Sequence, residues 1–455
     1  MVRREEKPIS LEKISVFGLG RVGLIMAVSL AKHGFDVVGI DVDPNLVKRL
    51  SGGEAPFYEP NLTEYLTLAV RTKKFVATQN HDVNSQSDLA YIAVGTPSRT
   101  DGSVDSSHVE EASRAIGRSL RGASQHQLVI VKSTVLPGTA RNVVKVTLER
   151  ESGKVAGKDF SVCSNPEFLR EGNAIHDTEF PDRIIIGSDD ASAMGMLESV
   201  YRKFHCDSLP PILKTSFENA ELTKYANNAF LATKVSFINS IASIAERTPH
   251  ADVKAVAEGI GLDERIGPKF LNAGLGWGGS CFPKDLAALL NFGKARRSDS
   301  ELIKAVIGTN KNQAMKGTEF ARRALGSLDD KRVSVLGLAF KPGTDDLRDA
   351  VSITVVNNLL KEGAVVTVWD PQAMHQARRI LGDKVKYAAN APECLENADC
   401  CILVTEWPEF KNLRPEIFLE KMRQPVLIDG RRVFDPDEFR RARVRLYAIG
   451  LGSDS

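Results

Sequence analysis

Cysteine is scarce in this chain, and its positions follow neither a disulfide-like nor a ligand-like pattern. Six cysteines are scattered over 455 residues. Cys400 and Cys401 fall within an apolar run, so we expect them to lie in a core. So few thiols at irregular spacing indicate neither a disulfide framework nor a zinc site, and we predict no bound metal.

Long apolar runs and an excess of one charge are also missing. No uncharged apolar run approaches the roughly 18 residues that a membrane span needs. The segment from Met1 to Lys13 is charged and lacks the apolar core of a secretory signal. Lysine and arginine number 60 against 58 aspartates and glutamates, which argues against a nucleic-acid or membrane partner. We therefore expect a cytoplasmic protein.

The first feature that is present is a nucleotide-binding pattern. A short apolar run at residues 14–17 leads into GLGRVG at 18–23, a helical stretch follows, and a second apolar run ends in Asp41. The three glycines of the fingerprint are Gly18, Gly20 and Gly23. The first permits a tight turn, the second lets a pyrophosphate reach the helix start, and the third lets helix pack on strand. Asp41 would repel a 2′-phosphate, so the pattern predicts NAD over NADP; a ligand-free turn is the alternative.

Polar residues follow two further predicted strands. The apolar runs at 88–94 and 128–132 lead to Thr96 and Thr134 respectively. Open α/β sheets bind ligands at the carboxyl ends of their strands, so each hydroxyl either contacts a ligand or caps the next helix. We expect the apolar run at 184–187 to close this unit.

Two carboxylates, Glu167 and Glu171, lie four residues apart in the segment 163–172. If this turn enters a helix, the two side chains share one face. A solvated surface face is the alternative interpretation.

The middle of the chain predicts one long helix. Residues 217–247 contain neither proline nor glycine, and apolar side chains cover more than one stripe, so we expect this helix to bridge domains and subunits. Lys224 and Asn228 are one turn apart within the apolar surface. Either the lysine extends its ammonium to water, or the pair faces a developing oxyanion.

One cysteine stands in a different setting. The stretch GGSCFPKD at 278–285 places Cys281 just ahead of a predicted helix whose first turn suits Pro283. The N–H groups of a helix start, together with Lys284, favour a nucleophilic thiolate. The alternative is a small buried hydrophobe, the usual state of a cysteine outside a disulfide.

The last third repeats the strand-and-turn pattern in altered form. Apolar runs at 333–336, 364–369 and 400–404 echo the first unit, but the turn reads GLAFKPG at 337–343. We expect it to hold a different nucleotide, with Lys341 near a phosphate; a surface loop is the alternative. The sequence thus predicts an α/β fold with two Rossmann-like parallel-sheet domains joined by a central helical region containing one long helix.

Together these motifs resemble the UDP-glucose 6-dehydrogenase family, within the wider UDP-glucose/GDP-mannose dehydrogenases. The likeness runs from the glycine turn through NPEF at 165–168 and GSC at 279–281 to DGR at 429–431. It implies NAD-dependent, four-electron oxidation of the C6 alcohol of UDP-glucose to the carboxylate of UDP-glucuronate. The implied intermediates on Cys281 are a thiohemiacetal and a thioester.

The resemblance also implies residue roles. The catalytic positions are Cys281, Lys224, Asn228, Asp285, Glu167 and Thr134. The NAD positions are Gly18, Gly20, Val22, Gly23, Asp41, Thr96, Thr134, Glu171, Lys284 and Arg348. The positions around the UDP-sugar are Glu167, Phe168, Leu169, Lys224, Asn228, Arg265, Phe270, Leu271, Asn272, Gly274, Gly278, Phe340, Lys341 and Arg431.

The same resemblance suggests an assembly and a domain division. Arg265 and Arg431 resemble arginines that reach the ligand across a subunit interface, so we expect a homodimer or a higher closed assembly. The expected domains are residues 1–210 for NAD, 211–325 for the long helix and the thiol, and 326–455 for the UDP-sugar.

One residue departs from the family pattern: Arg21 stands where an aromatic is usual. Some segments also resemble GDP-mannose dehydrogenases, so oxidation of GDP-mannose or UDP-N-acetylmannosamine is an alternative. Two further alternatives are a two-electron hydroxyacid dehydrogenase, which would not need Cys281, and a non-enzymatic nucleotide sensor.

Overall fold

The computed structural model describes residues 11–452, so most of the segment from Met1 to Lys13 lies outside the described residues. The chain forms two compact units, the first ending at Ala226 and the second beginning at Asn227. One holds an eight-stranded sheet and the other a six-stranded sheet, with helices between them along the chain. The predicted fold class is confirmed.

The sheet of the first unit is built from eight strands: β1 (Lys13–Phe17), β2 (Asp36–Ile40), β3 (Phe75–Thr78), β4 (Leu89–Ile92), β5 (Gln127–Val131), β6 (Phe160–Ser164), β7 (Ile184–Gly187) and β8 (Ile212–Thr215). Their order is β3-β2-β1-β4-β5-β6-β7-β8, and every neighbouring pair is parallel except β6 with β7. The strand order reverses between β1 and β4, the place where open α/β sheets bind ligands. The run at 184–187 was wrongly expected to close this unit, because β8 pairs beyond it.

Helices cover this sheet: α1 (Arg21–Lys32), α2 (Pro44–Ser51), α3 (Leu62–Arg71), α4 (Ser107–Leu120), α5 (Val146–Ser152), α6 (Ala174–Glu179) and α7 (Ala191–His205). Short 3₁₀ turns occupy His81–Gln86 and Cys206–Ser208, and Ala140–Lys145 is π-helical. Residues 23–31 of α1 are all buried, so the fingerprint helix is itself part of the core.

A single helix, α8 (Phe217–Ala245), runs 29 residues from the first unit into the second, which confirms the predicted long helix. It is less enclosed than its composition suggests. Phe230, Phe237 and Ile244 are 65%, 52% and 63% exposed. Spaced by seven residues, they form one apolar stripe along the helix.

The second unit continues with four helices: α9 (Val253–Gly261), α10 (Phe282–Ala295), α11 (Glu301–Gln313) and α12 (Lys316–Leu325). Six strands then form an all-parallel sheet of order β11-β10-β9-β12-β13-β14: β9 (Arg332–Leu336), β10 (Val365–Trp369), β11 (Lys386–Tyr387), β12 (Cys400–Leu403), β13 (Val426–Asp429) and β14 (Arg445–Ala448). Its helices are α13 (Val351–Lys361), α14 (Met374–Leu381), α15 (Ala391–Leu395), α16 (Pro408–Lys411), α17 (Pro415–Lys421) and α18 (Pro436–Arg441), with a 3₁₀ turn at Gly382–Lys384.

The second sheet repeats the plan of the first with one change. Asp370, after β10, accepts hydrogen bonds from the backbone N–H groups of Leu338 and Ala339 at 2.7 and 3.0 Å. The helix that follows β9 starts only at Val351, so a loop replaces the tight glycine turn. Cys400 and Cys401 on β12 are fully buried, as predicted.

Candidate active site

The glycine turn of the first unit has the geometry that its sequence predicts. Gly18 adopts φ +89° and donates to the Ile40 carbonyl at 2.8 Å. A Cβ on Gly23 would lie 1.9 Å from the Gly18 carbonyl oxygen, so no larger residue fits there. A Cβ on Gly20 would meet no atom within 4 Å, which leaves room at the start of α1 for a pyrophosphate. Val22 lies half-buried in the first turn of α1.

The carboxylate of Asp41 is held at the switch point of the sheet. Its Oδ2 accepts from the Leu19 N–H at 2.7 Å, and its Oδ1 accepts from the Asp43 N–H at 3.0 Å. These two donors fix the carboxylate where a ribose would lie in a Rossmann unit. The residues present therefore fit a dinucleotide with an unphosphorylated 2′-hydroxyl.

Arg21 links this turn to two loops. Its guanidinium lies 4.6 Å from the ring centroid of Phe57, and its Nε lies 3.6 Å from Glu171 Oε2. The condition that the turn at 163–172 enters a helix is not met: α6 begins only at Ala174, so Glu167 and Glu171 lie in an irregular loop and share no helix face.

Two strand ends are tied together by a threonine. The Thr96 hydroxyl, 7% exposed, donates to the Thr134 carbonyl at 2.9 Å. The bond joins the segments that follow β4 and β5 at the carboxyl edge of the sheet. Thr96 therefore positions the backbone of Thr134 rather than capping a helix.

A buried ion pair occupies the same edge. Lys224 Nζ lies 2.8 Å from Glu167 Oε1, and the two side chains are 4% and 7% exposed. The alternative in which Lys224 reaches water is therefore wrong. Burial acts to raise the pKa of Glu167. The charge and hydrogen bond of Lys224 oppose it, as does the hydrogen bond from the Leu169 N–H at 2.5 Å, and the net effect is a lowered pKa. The Phe168 ring lies 5.4 Å from the Lys224 ammonium.

Two residues that the sequence did not single out lie beside these predicted positions. Lys132, which immediately follows β5, donates to Asn165 at 2.9 Å. Glu221, on α8, accepts from the backbone N–H groups of Gly138 and Ala140 at 2.6 and 2.8 Å. In the sequence, Lys132 could have been noticed as a lysine at the end of an apolar strand, and Glu221 as an acid on an apolar helix face.

In the second unit, Cys281 is the N-cap of α10, as predicted, with Pro283 in its first turn. The thiol is half-buried, whereas Cys163, Cys394, Cys400 and Cys401 are buried. All six cysteines lie within the described residues, and none forms a disulfide. The partly exposed thiol at a helix N-terminus is suited to nucleophilic attack.

Asp285 lies one turn into the same helix and is 2% exposed. It accepts from the Asn228 amide at 2.6 Å through Oδ2 and from the Lys284 ammonium at 2.6 Å through Oδ1. Its own backbone N–H donates to the Cys281 carbonyl at 2.8 Å. Three predicted catalytic residues are thus connected in one cluster: Cys281, Asp285 and Asn228.

The loop after β9 packs against the thiol segment. A Cβ on Gly278 would lie 2.2 Å from the Asp349 carbonyl oxygen, and one on Gly279 would lie 2.6 Å from the Phe340 ring. The Gly279 N–H donates to the Arg348 carbonyl at 3.1 Å. Only glycines permit this approach, so the predicted nucleotide loop packs directly against the thiol segment within the second unit.

Two cations belong to this loop. The Lys341 ammonium lies 5.9 Å from the Phe340 ring centroid. Arg348 forms a forked pair with Asp346, and its side chain is 59% exposed. Arg348 is thus exposed and Lys341 half-buried, and charged nitrogens of both types bind phosphate oxygens.

The remaining predicted substrate positions differ in burial and in backbone conformation. Leu271 is buried, Asn272 is exposed, and Phe270 adopts φ +65°. The Gly274 N–H donates to Asn239 at 2.8 Å. All four precede the thiol in one segment, at 270–274.

The two predicted arginines differ. Arg431 donates to the Gly276 carbonyl at 3.0 Å, so it lies against the segment next to the thiol in its own chain. Arg265 is 89% exposed and pairs with Asp263, and the structure does not bring it to the other predicted residues.

In the part of the chain that the structure describes, no helix is both long and apolar enough to cross a bilayer. Among residues 11–452, no three histidine, cysteine, aspartate or glutamate side chains form a group able to hold a metal ion.

A glycine-rich dinucleotide turn in one unit and a thiol at a helix start in the other define a nicotinamide-dependent oxidoreductase. Three family models match in chain order: the NAD binding domain of the UDP-glucose/GDP-mannose dehydrogenase family at 12–205, its central domain at 218–312, and its UDP binding domain at 334–436. The chain belongs to the UDP-glucose/GDP-mannose dehydrogenase family. It is an NAD-dependent enzyme.

Individual relatives agree over nearly the whole length. UDP-glucose 6-dehydrogenase TuaD of Bacillus subtilis is 42% identical over 443 residues, which are 97% of this chain and 93% of that protein. UDP-glucose 6-dehydrogenase AglM of Haloferax volcanii is 40% identical, over 92% and 97% of the two chains.

Solved structures show the same similarity. That of a UDP-glucose dehydrogenase from Pyrobaculum islandicum has a TM-score of 0.89 at 40% identity, covering 100% of this chain and 99% of that one. A UDP-D-ManNAc dehydrogenase from Pyrococcus horikoshii has a TM-score of 0.85 at 27% identity, covering 97% and 100%.

Proposed function

We propose that this enzyme oxidises the C6 alcohol of UDP-glucose to the carboxylate of UDP-glucuronate. The observation that carries the proposal is the cluster in the second unit, where Cys281 caps α10 beside the Asp285–Asn228 hydrogen bond and against the nucleotide loop. A two-electron dehydrogenase has no use for that thiol. UDP-glucose is favoured over other sugar nucleotides because relatives named for it are 40–42% identical, against 27% for the UDP-D-ManNAc enzyme.

NAD, when bound, accepts the hydride in each of the two oxidations. In the first, the C6 hydroxyl loses its proton to a water held by Asp285, and a hydride leaves C6 with the electron pair of its C–H bond, which forms the aldehyde. Lys224 stabilises the alkoxide that forms, as a cation already in place. Asn228 donates to the same oxygen.

In the second oxidation the Cys281 thiolate adds to the aldehyde carbon and forms a thiohemiacetal. Loss of the hydride and the hydroxyl proton gives a thioester. A water that Glu167 and Thr134 orient then attacks the carbonyl carbon, and the C–S bond breaks. The products are the carboxylate and the restored thiolate, so one sugar yields two NADH.

Cofactor and substrate positions are part of the same proposal. The NAD residues are those of the glycine turn with Asp41, Thr96, Glu171, Lys284 and Arg348. We assign residues 1–210 to NAD, 211–325 to the long helix and the thiol, and 326–455 to the UDP-sugar. The order of the three family models supports this division.

We further propose a homodimer or a higher closed assembly, with the stripe of Phe230, Phe237 and Ile244 in the interface between copies. Three large apolar side chains, each more than half exposed on one helix face, are unusual on a surface that stays in water. Arg265 is exposed in its own chain, where it pairs with Asp263, and we assign it to contact with a ligand of the neighbouring copy.

The deciding experiment is NADH production with UDP-glucose, GDP-mannose and UDP-N-acetylmannosamine side by side. We expect UDP-glucose to have the highest kcat/KM and to yield two NADH per sugar consumed. One NADH per sugar would refute the four-electron mechanism. A higher kcat/KM for another sugar nucleotide would change the assigned substrate to that compound. No turnover with any of the three sugar nucleotides would favour a sensor.

A further inference from the structure

A second ammonium group lies next to the Glu167 loop. Lys132 follows β5 directly, two residues before Thr134, and its Nζ lies 2.9 Å from Asn165 Oδ1 and 3.4 Å from the Tyr201 hydroxyl. Nothing in the proposed mechanism uses this lysine. Its side chain nevertheless reaches the start of the loop that carries the proposed hydrolytic carboxylate, Glu167.

Asn165 keeps that ammonium in one place. The asparagine is 1% exposed, its Nδ2 donates to the Ile185 carbonyl at 2.8 Å, and its backbone N–H donates to the Val131 carbonyl at 2.9 Å. Its Oδ1 accepts from both Lys132 and the Tyr201 hydroxyl, the latter at 2.5 Å. A side chain bonded at both ends is a rigid support, so the position of the Lys132 charge is fixed by the sheet.

The charges around Lys132 act on one another. Burial lowers the pKa of Lys132 to about 8, with Glu167 opposing that shift and Lys224 adding to it. The pKa of Glu167 is in turn lowered by Lys224 and, more weakly, by Lys132. Glu167 thus interacts with both ammonium groups.

Other titratable groups near the cluster stay uncharged or keep a constant charge. Burial raises the pKa of Tyr201, on α7, and of Tyr91, on β4, well above the neutral range. It also raises the pKa of Cys163, on β6, to about 12. Arg183, which lies 3.9 Å from the Phe168 ring, stays a cation at any relevant pH. Lys132 and Glu167, by contrast, change charge between acid and mildly alkaline pH.

We propose that Lys132 is a positioning residue that keeps Glu167 ionised through space, so that Glu167 can orient the water that hydrolyses the thioester. This rests on the proposed function, because it presumes that Glu167 acts in hydrolysis. Lys224 is paired directly with Glu167 and is also assigned to the alkoxide of the first oxidation. Lys132 bonds Asn165 instead, so it adds a second positive charge that favours the ionised carboxylate and has no other assigned role.

The test compares K132M, which removes the charge, with K132R, which keeps one at every pH. In K132M we expect the acid limb of the kcat profile to move up by about one pH unit, the size of a typical carboxylate shift by one nearby cation. In K132R we expect the acid limb to stay in place. The KM for UDP-glucose should stay within about twofold in both, since Lys132 is not proposed to touch the sugar.

K154M is the matched control, because Lys154 donates to a backbone carbonyl, that of Ala123 at 2.7 Å, and to no side-chain acid in the described contacts. Its acid limb should coincide with that of the wild type. If Lys132 had only a structural role, K132M would lower kcat or stability at all pH values and would leave the acid limb of the kcat profile in place.

A second measurement needs no turnover. Infrared titration of the protonated carboxyl band, assigned to Glu167 by its loss in E167Q, reports the ionisation of that residue directly. We expect the Glu167 carboxyl to titrate at higher pH in K132M than in the wild type, by the same shift as the acid limb of the kcat profile. If the two titrate together, the inference is overturned, even where K132M is inactive. Failure of the wild type to oxidise UDP-glucose would instead refute the proposed function and leave this titration to decide the role of Lys132.

Discussion

At the scale of single residues, the position of Cys281 is the most informative feature of the chain. A thiol at the N-cap of α10, half-buried beside Asp285, is placed for addition to a carbonyl carbon. The buried cysteines have no such access, and burial raises the pKa of Cys394 to about 12. The reactivity of a cysteine here follows from its place in the fold.

The first prediction concerns that thiol. C281S should form no more than one NADH per enzyme site before it stalls, or should retain a covalent sugar ester, because a serine hydroxyl is a far weaker nucleophile than a thiolate. Rapid-mixing absorbance and intact-protein mass spectrometry measure the two outcomes. The exposed Cys206 supplies the control: C206S should yield two NADH per sugar. Undiminished acid production by C281S would refute the role of the thiol.

A second prediction concerns Arg21, the departure from the family's usual aromatic. Its contacts with Phe57 and Glu171 link two loops to the glycine turn, and Glu171 is one of the proposed NAD residues. A partly buried cation–π contact with an ion pair contributes about 1 kcal/mol, so R21A should raise the KM for NAD about fivefold. Steady-state kinetics at saturating UDP-glucose measure this effect.

The control for R21A is R49A, because Arg49 pairs with Glu54 on the surface at 2.7 Å, outside the proposed site. That variant should keep the wild-type KM for NAD. An unchanged KM in R21A as well would show that the Arg21 contacts do not organise the cofactor site.

At the scale of elements, α8 organises much of what the first unit contributes. It carries Lys224 against the Glu167 loop and, one turn earlier, Glu221 against the backbone N–H groups of Gly138 and Ala140. Glu221 thus anchors the turn that follows Thr134 to the same helix. Helix and turn are expected to move together.

The third prediction follows from the buried carboxyl of Glu221. Burial raises its pKa to about 7, so the folded state holds a proton between about pH 4.5 and 7 that the unfolded state has lost. The stability that this proton contributes is complete at low pH and is lost as the pH rises through 7. Relative to E221Q, which has no such proton, the wild type should lose up to about 1.4 kcal/mol of unfolding free energy per pH unit across this window.

Urea denaturation at about pH 5 and pH 7.5 measures the difference. E218Q is the control with the opposite sign: the hydrogen bond of Glu218 with Arg141 lowers its pKa, so that carboxylate stabilises the fold at high pH and loses its effect on acidification. Parallel pH profiles for E221Q and the wild type would contradict the prediction.

At the scale of the whole molecule, two sheets of related plan serve different ligands because of one turn. After β1 the helix begins at Arg21, so the chain forms a tight turn with open space at Gly20. After β9 the helix begins at Val351, and the intervening loop packs Phe340 and Arg348 against the thiol segment. The same strand-and-acid framework thus presents a tight turn for one nucleotide and a loop for another.

The fourth prediction concerns assembly. If the stripe on α8 lies between copies, F237E places a charge in an apolar interface, and the assembly should dissociate at micromolar concentration. Size-exclusion chromatography with light scattering measures the mass. I380E is the control, because Ile380 is also about half exposed but lies on α14, away from the stripe. A monomeric wild type, or an F237E variant with unchanged mass, would contradict the proposal.

The sequence alone determined features that depend on neighbours in the chain. The glycine fingerprint, the acid after the second strand, the long helix and the cysteine ahead of Pro283 are local patterns, and local backbone geometry follows from them directly. That is why α1, α8 and the start of α10 lie where they were predicted. Whether the turn with Glu167 and Glu171 entered a helix was left open by the sequence, because no local pattern there required one or excluded one.

Tertiary structure decided which side chains meet. Whether Lys224 reached water or a carboxylate depended on the loop after β6, more than fifty residues earlier, and no periodicity along α8 records that loop. Lys132 and Glu221 stayed unnoticed for the same reason, since their partners come from other strands and turns. Charge and burial act through space, so the ionisation of these groups was fixed only when the sheet brought their partners within hydrogen-bonding distance.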